Sequence, residues 1–209
     1  MPDKQVTVIH NAVKPFDGNF KEDELVKKLH DENCFVIGNI GRLSEQKGME
    51  YFINSIPKVI NNVPNVRFLI IGTGEDEIKL KELVTSLNIE KYVYFLGYRN
   101  DIQNIMSQLD LVVLSSLWEG LPLTPIEAFS VSKTIVATAV DGTVEIVKDG
   151  ENGLLVGARN SEQIANAIID LGNDNEKIKK YEIEAYKTYI EEFSFDTLAN
   201  NYIKYYKNL

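Results

Sequence analysis

The sequence predicts a doubly wound α/β domain, a parallel sheet of about six strands with helices on both faces, followed by C-terminal helices. Short apolar runs without polar alternation recur along the first three-quarters of the chain, the mark of strands covered on both faces. Most are followed by a run with helical spacing, and repeated strand–helix alternation gives parallel strands joined by right-handed crossovers. The last quarter carries helical patterns alone. Ligands of such sheets bind beyond the carboxyl ends of the strands.

The strands expected are Cys34–Ile40, Val66–Gly72, Tyr92–Leu96, Asp110–Ser115, Thr134–Thr138 and Gly153–Val156. Met49–Asn62 is helical, with Phe52, Ile53, Ile56, Val59 and Ile60 on one face, and Ile78–Leu87 repeats the pattern. Shorter helices are expected at Ile102–Leu109, Pro125–Phe129 and Thr143–Val147, then Ser161–Leu171, Glu176–Glu192 and Phe195–Lys207 with no strand between them. The last carries Phe195, Leu198, Tyr202, Tyr205 and Tyr206. Core packing is the first expectation for that aromatic surface, an absent partner surface the second.

Composition narrows the function. At 209 residues, 44% hydrophobic and 25% charged, the chain suits one well-buried domain. Its apolar runs are too short to span a bilayer. The start, MPDKQVTVIHN, lacks the features of a secretory signal. The single cysteine, Cys34, sits in an apolar run and reads as a buried thiol, so the cytoplasm is the expected compartment. A net charge of −9 disfavours nucleic acid and anionic membrane as partners. His10 and His30 have no clustered ligands, so no metal site is expected.

Three strand ends carry candidate chemistry. In Gly41–Gly48 (GRLSEQKG), Arg42 and Lys47 put two cations beside a helix N-terminus whose amides favour anions. Gly41 and Gly48 let the backbone turn and approach a ligand. This suits a diphosphate; the alternative is a loop with two solvated charges. In Glu119–Glu127 (EGLPLTPIE), two carboxylates eight positions apart flank a turn and a helix start. Locally, Glu127 reads as part of a capping box, with Thr124 at the N-cap and Pro125 at the first helical position. Glu119 reads as a solvated loop acid and Trp118 as a packing residue. Gly72-Thr73-Gly74 invites a dinucleotide reading, but Glu77 stands where a third glycine belongs, which favours a plain tight turn over a dehydrogenase.

Taken in order, IGRLSEQKG, VRFLIIGTG, YVYFLGYRND, LVVLSSLWEGLPLTPIEAF and EIVKDGENGLLV resemble the retaining glycosyltransferases with an E-x7-E motif, the glycosyl transferases group 1, from about Val8 to Leu209. The resemblance implies one half of a GT-B fold, residues 1–209 being a Rossmann-like domain that binds a UDP- or GDP-sugar without metal or cofactor. It implies that Arg42 and Lys47 hold the diphosphate beside Gly41, that Glu127 holds the ribose hydroxyls and that Glu119 faces the donor sugar. Backbone groups around Gly120, Leu121, Leu123 and Thr124 would meet phosphate and sugar oxygens, and Tyr98 and Arg99 the base. Glu119, Arg42 and Lys47 would carry catalysis. The acceptor would sit in an N-terminal domain that this chain lacks, toward which helices in 174–209 cross back; the full enzyme could meet a membrane peripherally. A non-catalytic sugar-nucleotide-binding module would have the same sequence features. Two departures stand out. Ser132-Lys133-Thr134 replaces a Gly-x-Pro segment, so the turn after Phe129 is expected to differ. Asp141-Gly142 replaces Gly-Gly and adds an acid near the expected sugar site.

Overall fold

The computed structural model describes residues 7–207; the first six residues, part of the stretch read for a signal, lie outside it. Six strands form one parallel sheet: β1 (Phe35–Ile40), β2 (Val66–Ile71), β3 (Val93–Gly97), β4 (Leu111–Leu114), β5 (Ile135–Thr138) and β6 (Gly153–Val156). Their order is β3-β2-β1-β4-β5-β6. All six expected strands are present, and the winding reverses between β1 and β4, which pair Ile37 with Leu111 and Asn39 with Val113.

The strands lack polar alternation because successive side chains enter two apolar layers. Ile37, Phe68, Ile70, Leu111, Val113 and Val136 face one cluster. It is closed by α2 (Met49–Ile60), α3 (Glu77–Ser86) and α7 (Ser161–Gly172). Val36, Leu69, Ile71, Val112, Leu114 and Ala137 face the other. That layer is closed by α1 (Glu24–Asp31), α4 (Ile102–Ser107), α5 (Leu123–Ser130) and the chain around Tyr189 and Phe193. Each large side chain buried this way contributes about 1.5–3 kcal/mol. Between β5 and β6 lies the single turn α6 (Thr143–Ile146).

Helix α1 is absent from the sequence expectations. Its signal is present in the chain: Asp23 caps the helix by accepting from Leu25 N and Val26 N, and Val26 and Leu29 supply the buried face. Ser132 adopts the left-handed conformation that glycine takes readily, at φ 56°. The expected helix Glu176–Glu192 is α8 (Asn175–Thr188) followed by a π-helical turn at Tyr189–Phe193. That turn anchors the entering chain: Tyr189 donates its hydroxyl to Val13 O at 3.1 Å, and Val13 N donates to Phe193 O at 3.2 Å. Core packing of the last helix, α9 (Phe195–Lys207), is not found. None of its residues is buried, and Phe195, Tyr202, Ile203, Tyr205 and Tyr206 are exposed.

Gly48 sits at φ +55°, where an added Cβ would lie 2.3 Å from Ser115 O. Gly97, at φ +65°, has open space around it. Gly97→Ala should therefore cost only the left-handed penalty, about 1–2 kcal/mol. Gly48→Ala adds a backbone clash and should cost about 3 kcal/mol or more. Urea unfolding of the two variants checks this, and equal losses would show that the approach to Ser115 is not what demands glycine.

Candidate functional site

The crevice at the β1/β4 reversal is closed from below by buried polar groups. Asn39 Nδ2 donates to Ser115 Oγ at 3.0 Å, and Ser115 Oγ donates to Lys47 O at 2.9 Å. Leu117 N donates to Gln46 O at 2.7 Å, and Gln46 Nε2 to Trp118 O at 3.1 Å. The loop after β1 and the loop after β4 are thus stitched together over the carboxyl edge of the sheet.

Across this seam Lys47 Nζ meets Glu119 Oε1 at 2.6 Å, with the side chains only 18% and 7% exposed. Ser116 Oγ donates to the same oxygen at 2.6 Å. Glu119 is therefore a held, nearly buried carboxylate and not a solvated loop acid. Its Oε2 has no hydrogen-bond partner among the described residues. Lys47 lies along Gly41, where a Cβ would come within 3.3 Å of the lysine stem. Trp118, expected to pack, is 45% exposed.

Arg42 reaches Glu75 at 3.1 Å, but both side chains are largely exposed. Such a pair is worth about 0–1 kcal/mol, so Arg42 can exchange partners at little cost. Glycines 72 and 74 pack the next turn onto this loop: an added Cβ would fall 1.9 Å from Gly41 O and 2.2 Å from Leu43 O respectively. The Gly-Thr-Gly segment acts as a turn.

Two helices begin at the crevice without a side-chain cap, α2 after Gly48 and α5 after Pro122. First-turn amides have no carbonyl partners within the helix and favour anions. The capping box expected at Thr124–Glu127 does not form. Helix α5 starts at Leu123, so Thr124 and Pro125 fall inside its first turn, where proline's missing N–H leaves no helix bond unmade. Glu127 lies two residues too deep to reach the cap. Burial raises its carboxyl pKa, and its side chain has no ion pair or hydrogen bond among the described residues. A desolvated carboxylate without local structural return marks a candidate functional group.

Beside the crevice, Ile40, Gly41, Arg42, Thr73, Tyr98 and Arg99 line a cavity of about 290 Å³. Tyr98 is exposed. The Arg99 side chain is committed elsewhere: Nη1 bonds Asp23 at 2.8 Å, while Nε and Nη2 grip Asp101 at 2.7 Å. This grip holds the Asp101 carboxyl down at about 2. Arg99 can therefore offer the cavity its backbone more readily than its guanidinium. Gly120, exposed, and Leu121, half-buried, continue the loop, while Leu123 is exposed and Thr124 half-buried. A larger cavity of about 470 Å³, near Cys34, Asp110, Lys133 and Glu182, opens at the amino edge of the sheet, away from the strand ends that bind ligands in this fold.

Ser116 is not among the expected site residues, and Asp141 is expected only as an acid near the sugar site, without a partner. Asp141 Oδ2 accepts from Glu119 N at 2.8 Å, and Gly142 N donates to Gly120 O at 2.9 Å. A Cβ on Gly142 would lie 2.0 Å from Gly120 O, so this glycine serves a close loop–loop contact. Ser116 was legible only as the second serine after an apolar strand. Among the described residues, no three His, Cys, Asp or Glu side chains converge as metal ligands.

A β3-β2-β1-β4-β5-β6 sheet with an anion-ready crevice at its switch point defines a Rossmann-like domain of the GT-B type. The chain belongs to the glycosyl transferases group 1 family, whose model matches residues 20–188. It is 36% identical over 177 residues to the Escherichia coli UDP-Gal:alpha-D-GlcNAc-diphosphoundecaprenol alpha-1,3-galactosyltransferase, covering 81% of this chain and 46% of that protein. An uncharacterized glycosyltransferase of Methanocaldococcus jannaschii is 29% identical, with 99% of this chain and 55% of that protein covered. The structure is similar to Anabaena Alr3699/HepE in complex with UDP, at a TM-score of 0.82 and 28% identity over 89% of this chain and 52% of that one. It is also similar to the C-terminal domain of a Francisella tularensis glycosyl transferase group 1 family protein (LpcC), at a TM-score of 0.73 and 27% identity, covering 84% and 96%. The chain spans about half the length of the two sequence relatives.

Two outcomes test the site's energetics. Lys47→Ala strands the Glu119 carboxylate and should destabilise the fold by about 3 kcal/mol, as when one partner of a buried pair is removed, whereas Arg42→Ala should cost under about 1 kcal/mol; urea denaturation reads both. Glu127 carries the opposite sign. A carboxyl with a raised folded-state pKa favours the fold below its ordinary value of 4.5, and that contribution is lost as pH rises through the folded-state pKa. Glu127→Gln should therefore melt no earlier than the parent at pH 7, with any gain shrinking toward pH 4.5. Earlier melting at pH 7 would mean that Glu127 has a structural role.

Proposed function

We propose that this chain is the donor-binding half of a retaining glycosyltransferase, taking a UDP- or GDP-sugar and passing its hexosyl group to an acceptor held by a separate domain. The observation that carries this reading is the Lys47–Glu119 pair lying between two helix N-termini that no side chain caps. The diphosphate takes Lys47 from Glu119 and Arg42 from Glu75, and the cations with the first-turn amides stabilise the leaving nucleotide. Glu119, released from Lys47 but still bonded by Ser116, faces the sugar. Glu127 receives the ribose hydroxyls, which offsets its desolvation. The cavity at Tyr98 takes the base against the backbone of 97–99. No cofactor enters this scheme.

The names of relatives support it: one is a galactosyltransferase using UDP-Gal, and the Anabaena protein is also known in complex with UDP-glucose. The near-complete match to an isolated C-terminal domain supports the division into halves. The exposed aromatic face of α9 then meets the acceptor domain. No helix among the described residues is long and apolar enough to cross a membrane, and the lone cysteine fits a reducing, cytoplasmic compartment.

Calorimetry with UDP, GDP, ADP and their sugar conjugates tests the reading. One of the first two should bind, and Arg42→Ala should weaken it by about 1.5–3 kcal/mol while barely affecting the free nucleoside. Glu127→Gln should weaken the ribonucleotide but not an analogue lacking the ribose hydroxyls. The chain alone should transfer no sugar. Equal losses for nucleoside and diphosphate on Arg42→Ala would remove the loop from the phosphate site.

A further inference from the structure

Asp141 stands in a place that strains it. At φ +39° it occupies the left-handed region, which costs a non-glycine residue about 1–2 kcal/mol, and the next residue is a glycine that could have relieved such a turn. Strain of this kind persists where the surroundings make use of the residue. What Asp141 does is specific: Oδ2 accepts the Glu119 amide at 2.8 Å, and Gly142 N bonds Gly120 O at 2.9 Å. The turn after β5 is therefore latched to the loop that carries Glu119. Thr143, on the same turn, is fully buried, and its Oγ1 lacks a hydrogen-bond partner among the described residues.

The charges at this junction do not balance once a donor enters. Asp141 Oδ2 holds the backbone amide of Glu119; Lys47, at 2.6 Å, is the counter-charge of the Glu119 carboxylate, and Asp141 has no ion pair among the described residues. On the donor-site reading, a diphosphate that recruits Lys47 leaves Glu119 and Asp141, on adjoining loops, without a cation. Sugar hydroxyls can donate to those oxygens, and charge-assisted bonds of this kind are strong. An ionised sugar carboxylate has no proton to donate and meets like charge from a nearly buried Glu119 and an exposed Asp141.

We propose that Asp141 is a specificity-determining residue for the donor sugar, forming with Glu119 an acidic subsite that accepts a neutral, hydroxyl-bearing hexose and rejects a uronic acid. This rests on the donor-site reading above.

The test compares the full chain with Asp141→Asn, which keeps an acceptor for the Glu119 amide and removes the charge. Asp141→Gly, which also relieves the positive φ, is the second variant. Calorimetry reads UDP, UDP-glucose and UDP-glucuronate, each conjugate relative to UDP; if GDP binds instead, GDP, GDP-mannose and GDP-mannuronate replace them. The parent should prefer the neutral conjugate by about tenfold or more, and both variants should narrow that preference to within about threefold. An unchanged preference in both variants overturns the assignment, as does a parent that does not discriminate. Equal weakening of the nucleotide and both conjugates would make Asp141 a loop latch without a say in specificity. A parent that binds neither UDP nor GDP fails earlier, and takes the donor-site reading down with it.

Discussion

Strands β1 and β4 lie side by side, and the arrangement on the carboxyl side of the sheet follows from that pairing. Because the winding reverses there, the loops leaving the two strands diverge toward opposite faces and leave a crevice between them. The Asn39–Ser115 bond and the stitching of Gln46 to residues 117 and 118 fix how far apart the loops stand. Only at that spacing can a lysine from one loop reach a glutamate from the other.

The pairing also explains the unusual economy of the site. Lys47 and Glu119 are nearly buried, and each satisfies the other, which avoids the cost of an isolated buried charge. Arg42 remains exposed with a weakly held partner. One cation is thus held in a nearly buried pair and the other in a loose exposed one, although both are basic residues of the same loop. The same contrast separates the two glutamates: Glu119 is bonded twice through one oxygen, while the half-buried Glu127 side chain has no partner among the described residues.

Much of this was legible in the chain because it depends on local pattern. Apolar runs located all six strands, and glycine-bearing segments at their ends located the crevice. Where the sequence misled, a tertiary contact had overridden a local rule. Thr124-Pro125-Ile126-Glu127 has the spacing of a capping box, yet the helix begins two residues earlier, at Leu123. The Arg99 guanidinium is taken by Asp101 and by Asp23, 76 residues away in the chain, a partnership no local pattern announces, and the backbone of Arg99 is left for a ligand. Aromatic residues at helical spacing suggest a core for α9, yet among the described residues nothing buries them. Asp141 was visible as a departure from the family pattern; its bond to Glu119 N, across 22 positions, was not.

The position of Trp118 has a practical corollary. It is the sole tryptophan of the chain, its ring is 45% exposed, and its carbonyl is tied to Gln46 across the crevice. All indole emission of the protein therefore arises one residue before Glu119, on the loop that a ligand would disturb. The fold has placed a built-in optical reporter there, and a shift in its spectrum or quenching reads the state of that loop without any label.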